Sequence, residues 1–176
     1  NRIPVAIADL SGDPTASRVI TATVRSDLER SGLFKLVDAS GSQQPVELAQ
    51  VDYGVWRGKG AEALVIGQVT ALPGGRFEVR FRLLDVVKKT QLAGYSYNIS
   101  PNQWRATAHQ IADVVYEKLT GTPGVFSSRI AYVQKQGKRF ELRVADADGQ
   151  NPRTVVRSGE PPISPMFSPD GARPVY

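Results

Sequence analysis

The hydrophobic period of this chain changes once along its length and does not change back. Up to Gly121, stretches with an apolar residue at every third or fourth position are interleaved with short apolar or strictly alternating runs; beyond Thr122-Pro123-Gly124 only short β-type segments remain. A helical stripe and a strand face each need a covering layer, so the first part is confined to a layered α/β arrangement and the second to an all-β one. We set the boundary near residue 124, with an N-terminal α/β domain over 1–124 and the start of an all-β unit over 125–176.

Ile3-Pro4-Val5-Ala6-Ile7-Ala8 reads as a buried strand, in which Pro4 favours a sheet edge or the first positions of the strand. Asp13-Pro14 is an N-cap followed by a first-turn proline, and Ala16, Val19, Ile20, Val24 and Leu28 give the helix behind it an apolar stripe that Ser31-Gly32 stops. Leu33 to Val37 is a second strand, 39–46 a polar loop, and Leu48 to Arg57 a short helix. Ala63 to Val69 is apolar almost throughout, as a strand covered on both faces should be. After the Pro73-Gly74-Gly75 turn, Phe77, Val79, Phe81 and Leu83 alternate with Arg76, Glu78, Arg80 and Arg82, which gives a hairpin with one solvated face; Gln91 to Asn98 is another strand. Ser100-Pro101-Asn102-Gln103 is a capping box that opens a helix with Trp104, Ala108, Ile111, Val115 and Leu119 on one stripe and Gly121 as its stop.

The segments Arg129 to Gln134, Phe140 to Asp146 and Thr154 to Arg157 make a sheet too small to be stable alone. Ser164-Pro165-Met166-Phe167-Ser168-Pro169-Asp170-Gly171 has the form of an inter-blade turn, where each propeller blade is covered by its neighbours. The fold class expected is therefore a mixed α+β or α/β sheet with two or three helices, followed by an incomplete β-propeller blade. A chain cut after the first blade's worth of sequence is expected, with Arg173-Pro174-Val175-Tyr176 placing a proline where the next strand should begin.

The absence of cysteine excludes a thiol nucleophile, a thiolate zinc site, an iron–sulfur cluster and a disulfide framework. A net charge of +5 spreads over both parts without a dominant basic block, which favours solubility over a polyanion partner. No run approaches the roughly 20 apolar residues of a membrane helix, and Asn1-Arg2-Ile3-Pro4 is not a signal peptide, so a targeting segment is expected to have been removed.

Several residues invite chemical readings that their context weakens. His109, the only histidine, lies about 140° around its helix from Trp104 and is expected at the boundary or surface, with Asp113 and Thr107 as surface hydrogen-bond neighbours. Ser11-Gly12-Asp13 could hold an anion, but Asp13 competes for the same amides. Gly58-Lys59-Gly60 precedes a strand instead of following one, the wrong context for a dinucleotide fingerprint. Arg76, Arg80 and Arg82 point away from Phe77 and Phe81, whereas single-stranded RNA needs cations and aromatics on one surface. Asp146, Asp148 and Gly149 lack the distal ligands of a calcium loop and read as a β-turn. No catalytic, cofactor or metal residue is assigned.

Val115-Tyr116-Glu117-Lys118-Leu119-Thr120-Gly121, Arg129-Ile130-Ala131-Tyr132-Val133, Glu141 to Gly149 and Ser164 to Gly171, with Phe126, Trp56, Gly60 and Leu64 to Val69, resemble in order the TolB family of the Gram-negative Tol-Pal system. The resemblance implies a non-enzymatic periplasmic adaptor whose α/β domain is similar to the anticodon-binding domain of some tRNA synthetases and precedes a six-bladed propeller. It implies as partners the C-terminal domain of TolA, the lipoprotein Pal and some bacteriocins, a peripheral link to the outer membrane through Pal, and roles in envelope integrity and division. The family's TolA-binding segment precedes the first strand, so Asn1, Arg2, Ile3, Pro4 and Val5 are the candidate partner-binding residues, with strand addition expected on a sheet edge at Ile3 to Ala8. Pal and bacteriocins would use propeller surface mostly absent here. The alternatives are the front of a propeller-containing serine peptidase and an RNA-binding α/β module.

Overall fold

The computed structural model describes residues 1–161, 165–169 and 173–175. The chain divides into two compact units, Asn1–Gly124 and Val125–Tyr176.

In the first unit, β1 (Ile3–Ile7) leads through the two-residue β2 (Ser11–Gly12) into α1 (Pro14–Arg30) and on to β3 (Phe34–Val37). The cap is as its residues dictate, with Asp13 Oδ1 accepting from the Ala16 amide at 2.9 Å, and α1 stops at Ser31 before Gly32 at φ 75°. The helix expected over Leu48 to Arg57 is two pieces, a 3₁₀ turn at Leu48–Gln50 and α2 (Tyr53–Gly58). Asp52 divides them, because its carboxylate accepts from the amides of Gly54 and Val55 and so caps α2 in the middle of the stretch. Next come β4 (Ala63–Leu72), β5 (Arg76–Asp85), β6 (Thr90–Ile99) and α3 (Trp104–Thr120). The Ser100 and Gln103 capping box is formed, and Gly121 at φ 78° closes α3.

The sheet runs β3-β1-β4-β5-β6, with β1 parallel to both neighbours and β4-β5-β6 antiparallel. β2 pairs with β4 at Gln68 and Val69 and so continues, after a break at 8–10, the line that β1 occupies beside Ala63 to Val65. Alternation along the strands gives the sheet two buried faces. Ala6, Ala8, Leu64, Ile66, Leu84 and Val86 pack with Trp56 of α2 on one side. On the other side Phe34 meets Tyr116 of α3 and Phe77 meets Trp104, edge to face. Among the described residues no helix is long and apolar enough to cross a membrane.

β1 is an interior strand, and the expected sheet edge at Ile3 to Ala8 is corrected accordingly. Its Val5-Ala6-Ile7-Ala8 core is entirely buried, the pattern of a parallel strand covered on both faces, which outweighs the one missing amide. Pro4 sits near the strand's start, ahead of the β4 pairing that begins at Val5.

The second unit is an antiparallel sheet of β7 (Arg129–Gln136), β8 (Arg139–Asp146) and β9 (Arg153–Ser158). β10 (Met166–Phe167) pairs with β11 (Pro174–Val175), so Pro174 opens its short strand opposite Phe167. Of the expected inter-blade turn, Ser164, Asp170 and Gly171 lie outside the described residues, as do Pro162 of the preceding turn and Tyr176.

Candidate functional site

Three places gather the residues that the sequence singles out: the mouth of β1, the packing of α1 on α3, and the outer half of the β5–β6 hairpin.

At the mouth of β1, Asn1 and Arg2 are exposed, Ile3 and Pro4 half-buried, and Val5 fully buried. The strand is held on both sides from its first residues: Ile3 donates its amide to Leu33 O at 2.8 Å, and Pro4 O accepts from Glu62 N at 2.9 Å. Of the five candidates, only Asn1 and Arg2 present side chains freely at the surface. At the opposite end of β1 the chain turns toward α1, and at the end of β3 it turns toward α2 on the other face. This leaves an open crevice of about 330 Å³ lined by Asp9, Arg25, Val37, Asp38 and Ser40. Arg25 Nη2 pairs with Asp9 at 2.9 Å there, and the backbone amide and hydroxyl of Ser40 hold the Asp38 carboxyl below its ordinary range.

His109 is a buried residue, 2% exposed, not a boundary or surface one, and Thr107 is buried with it. Its Nδ1 lies 2.5 Å from Oδ2 of Asp27, which is itself fully buried and also receives Arg30 Nη2 at 2.8 Å. The expectation failed because α3 packs against α1 as well as the sheet. Its buried arc is therefore wider than a single stripe and includes the position about 140° from Trp104. A signal was present in the sequence: Asp27 falls in line with Ile20 and Val24 on the apolar face of α1, where an acid needs a partner.

The remaining motifs keep their modest readings. Arg76 bonds to the side chain and carbonyl of Asn98, Arg80 pairs with Glu78 and Arg82 with Gln91, all on the face opposite Phe81. Gly149 N donates to Asp146 O and Gln150 N to Asp148 Oδ1, which makes Asp146 to Gly149 a turn between β8 and β9.

Residues 1–92 match the TolB amino-terminal domain family, and residues 116–176 match the TolB beta propeller domain family. The chain belongs to the TolB family. It is 70% identical, over 98% of its length, to the Tol-Pal system protein TolB of Thiobacillus denitrificans and 54% identical over its whole length to that of Nitrosomonas europaea. In each case it spans 41% of the relative. The crystal structure of TolB from Acinetobacter baumannii superposes with a TM-score of 0.84 at 31% identity, over 99% of this chain and 43% of that one. The family matched is TolB and not a peptidase, which sets the peptidase alternative aside, and the buried Asp27 and His109 pair joins α1 to α3. The mixed α/β sheet followed by a partial propeller blade is the TolB architecture.

Proposed function

We propose that this chain serves as part of a periplasmic, non-enzymatic adaptor of the Tol-Pal system. The adaptor links the C-terminal domain of TolA to the peptidoglycan-associated lipoprotein Pal, and through Pal to the outer membrane, which supports envelope integrity and cell division. The observation that carries this reading is the 70% identity, over nearly the whole chain, to a relative named for that system. Within the chain, Asn1 to Val5 are the proposed contribution to TolA binding, with Asn1 and Arg2 as the exposed groups and Ile3 to Val5 as the anchor that fixes their exit from the sheet. Pal, and bacteriocins that exploit the system, are assigned to propeller surface beyond the single blade present here.

The test is a calorimetric titration of purified TolA C-terminal domain and of Pal into the full-length homologous protein and into residues 1–176. The full-length protein is expected to bind both, and residues 1–176 to lose Pal. A full-length protein that binds neither overturns the adaptor reading. Binding of Pal to residues 1–176 at full affinity overturns its assignment to the missing propeller surface.

A further inference from the structure

The two ends of the main sheet are finished very differently. β3 is a short edge of four residues and carries Lys35, two of the usual guards against unwanted pairing. β6 is an edge of ten residues, Thr-Gln-Leu-Ala-Gly-Tyr-Ser-Tyr-Asn-Ile, with no charge and no proline. Among the described residues it pairs only with β5. Its one irregularity lies near the start, at Leu83/Leu84 of the partner; from Ala93 to Ile99 the register is unbroken. Ala93 and Ile99 are its buried residues, while Tyr95 is 48% exposed. A long, regular edge without guards is a template for another strand.

Its two faces specify what that strand should carry. On one face Tyr95 and Tyr97 stack with Phe81, with ring centroids 5.9 to 6.5 Å apart, and form an aromatic shelf that reaches the edge. On the other face the small residues Gly94 and Ser96 stand opposite Arg82 and Arg80. The flexible Gln91 side chain lies over Gly94, where a Cβ would meet its Nε2 at 2.7 Å, and its Oε1 accepts from Arg82 Nη1 at 3.0 Å, so Gln91 must swing aside for a carboxylate to reach Arg82; a groove of about 240 Å³ opens between Arg80 and Arg82 over this part of β6. Arg76 extends the same basic row, so three cations stand against two acids on this face, Glu78 at 2.9 Å from Arg80 and Glu47 at 3.6 Å from Arg82.

We propose that β6 is a docking edge for an extended segment of another protein in which acidic residues alternate with apolar or aromatic ones. Backbone hydrogen bonds to the edge provide affinity. Carboxylates over Gly94 and Ser96 meet Arg82 and Arg80, and the alternate side chains lie on Tyr95 and Tyr97. A second copy of β6 would bring no carboxylate to the arginines, which is why a different partner is specified. This proposal is independent of the TolA and Pal assignment.

The experiment is an NMR titration of ¹⁵N-labelled residues 1–176 with a capped synthetic octapeptide that alternates glutamate with valine and tyrosine. Amide shifts and slowed hydrogen exchange are expected along 90–99. Arg80→Glu and Tyr95→Lys are each expected to weaken binding by about tenfold or more. A peptide alternating lysine with the same apolar residues, or one with the glutamates in a block, is expected to bind far more weakly. Folding of each variant is read from its own spectrum, and Arg80→Gln provides a milder neutralisation with an intermediate loss. Absence of shifts in 90–99, equal binding of the lysine peptide, or a concentration-dependent dimer through β6 that excludes the peptide overturns the proposal.

Discussion

His109 Nδ1 and Asp27 Oδ2 lie 2.5 Å apart and join α3 to α1 inside the N-terminal unit, with both side chains buried. Removing one member of such a pair leaves the other buried with part of its hydrogen bonding unmet. His109→Ala, which leaves the Asp27 carboxyl with Arg30 as its remaining partner, is expected to destabilise this unit by about 1–3 kcal/mol. The double change Asp27→Leu with His109→Leu should cost less than His109→Ala alone, because no buried carboxyl is then left short of a partner. Urea unfolding followed by tryptophan fluorescence checks both, since Trp56 and Trp104 each lie in this unit. A loss well under 1 kcal/mol for His109→Ala would show that the pair does not hold the helices.

Gly12 and Gly121 both have positive φ but should respond differently to alanine. At Gly12, φ 99°, a Cβ would stand 1.9 Å from the carbonyl oxygen of Val69, which accepts the amide of Asp13. No rotamer relieves a clash with backbone, so Gly12→Ala must pull β2 from β4. At Gly121, φ 78°, nothing lies within 4 Å, and the cost is the left-handed conformation alone, about 1–2 kcal/mol. Gly12→Ala is expected to exceed that value in the same urea assay, and the reverse order would contradict the β2 pairing.

What was legible in the sequence was what short-range chemistry determines. Asp13 and Pro14, the Ser100 and Gln103 box, Gly121 and the alternation of Phe77 to Leu83 each specify their element with neighbours only a few residues away, and each element formed. Strand order is not of that kind. Pro4 hinted at an edge, but β1 is interior because β3 and β4 are both brought back beside it, a fact of tertiary assembly. His109 was misplaced for the same reason, since the helix that buries it is 82 residues away in sequence. Arg76, Arg80 and Arg82 were correctly separated from the phenylalanines, yet the tyrosines that complete the aromatic shelf come from β6, whose terminal position no local pattern announces.

Tyr97 supplies an alkaline signature. Burial pushes its phenol above the ordinary tyrosine value, and Tyr95 beside it adds to the shift. The folded state therefore holds the proton more tightly than the unfolded one. This contribution to stability is complete below the unfolded value of about 10 and is lost as pH rises through the higher folded value. Stability of the wild-type chain should fall as pH is raised past about 10, and Tyr97→Phe should flatten that fall. Urea midpoints measured from pH 8 upward decide it: equal slopes for the two proteins would refute the assignment.

Glu141 supplies the acid counterpart in the second unit. Burial alone pushes its carboxyl up, but the hydrogen bonds from Arg157 Nε at 3.0 Å and Thr154 Oγ1 at 3.1 Å, with the charges of Arg157 and Arg143, outweigh it and hold the group below 4.5. Glu141 and Arg157 are register partners across β8 and β9, so the ionised carboxylate ties the last strand of the small sheet to its centre. A lowered folded value means a contribution that is present above the unfolded value of 4.5 and lost as pH falls through the folded one. Neither tryptophan lies in this unit, so the readout is amide hydrogen exchange in Arg153–Ser158 by NMR. Exchange, corrected for its intrinsic pH dependence, is expected to quicken in β9 as the buffer is taken below pH 4.5, whereas Glu141→Gln should show faster exchange near neutrality and little further change in acid. Arg157→Ala should move the onset to higher pH by removing the leading stabiliser of the carboxylate. Protection in β9 that is indifferent to all three changes would mean that the sheet is held by Leu142 and Val144 alone.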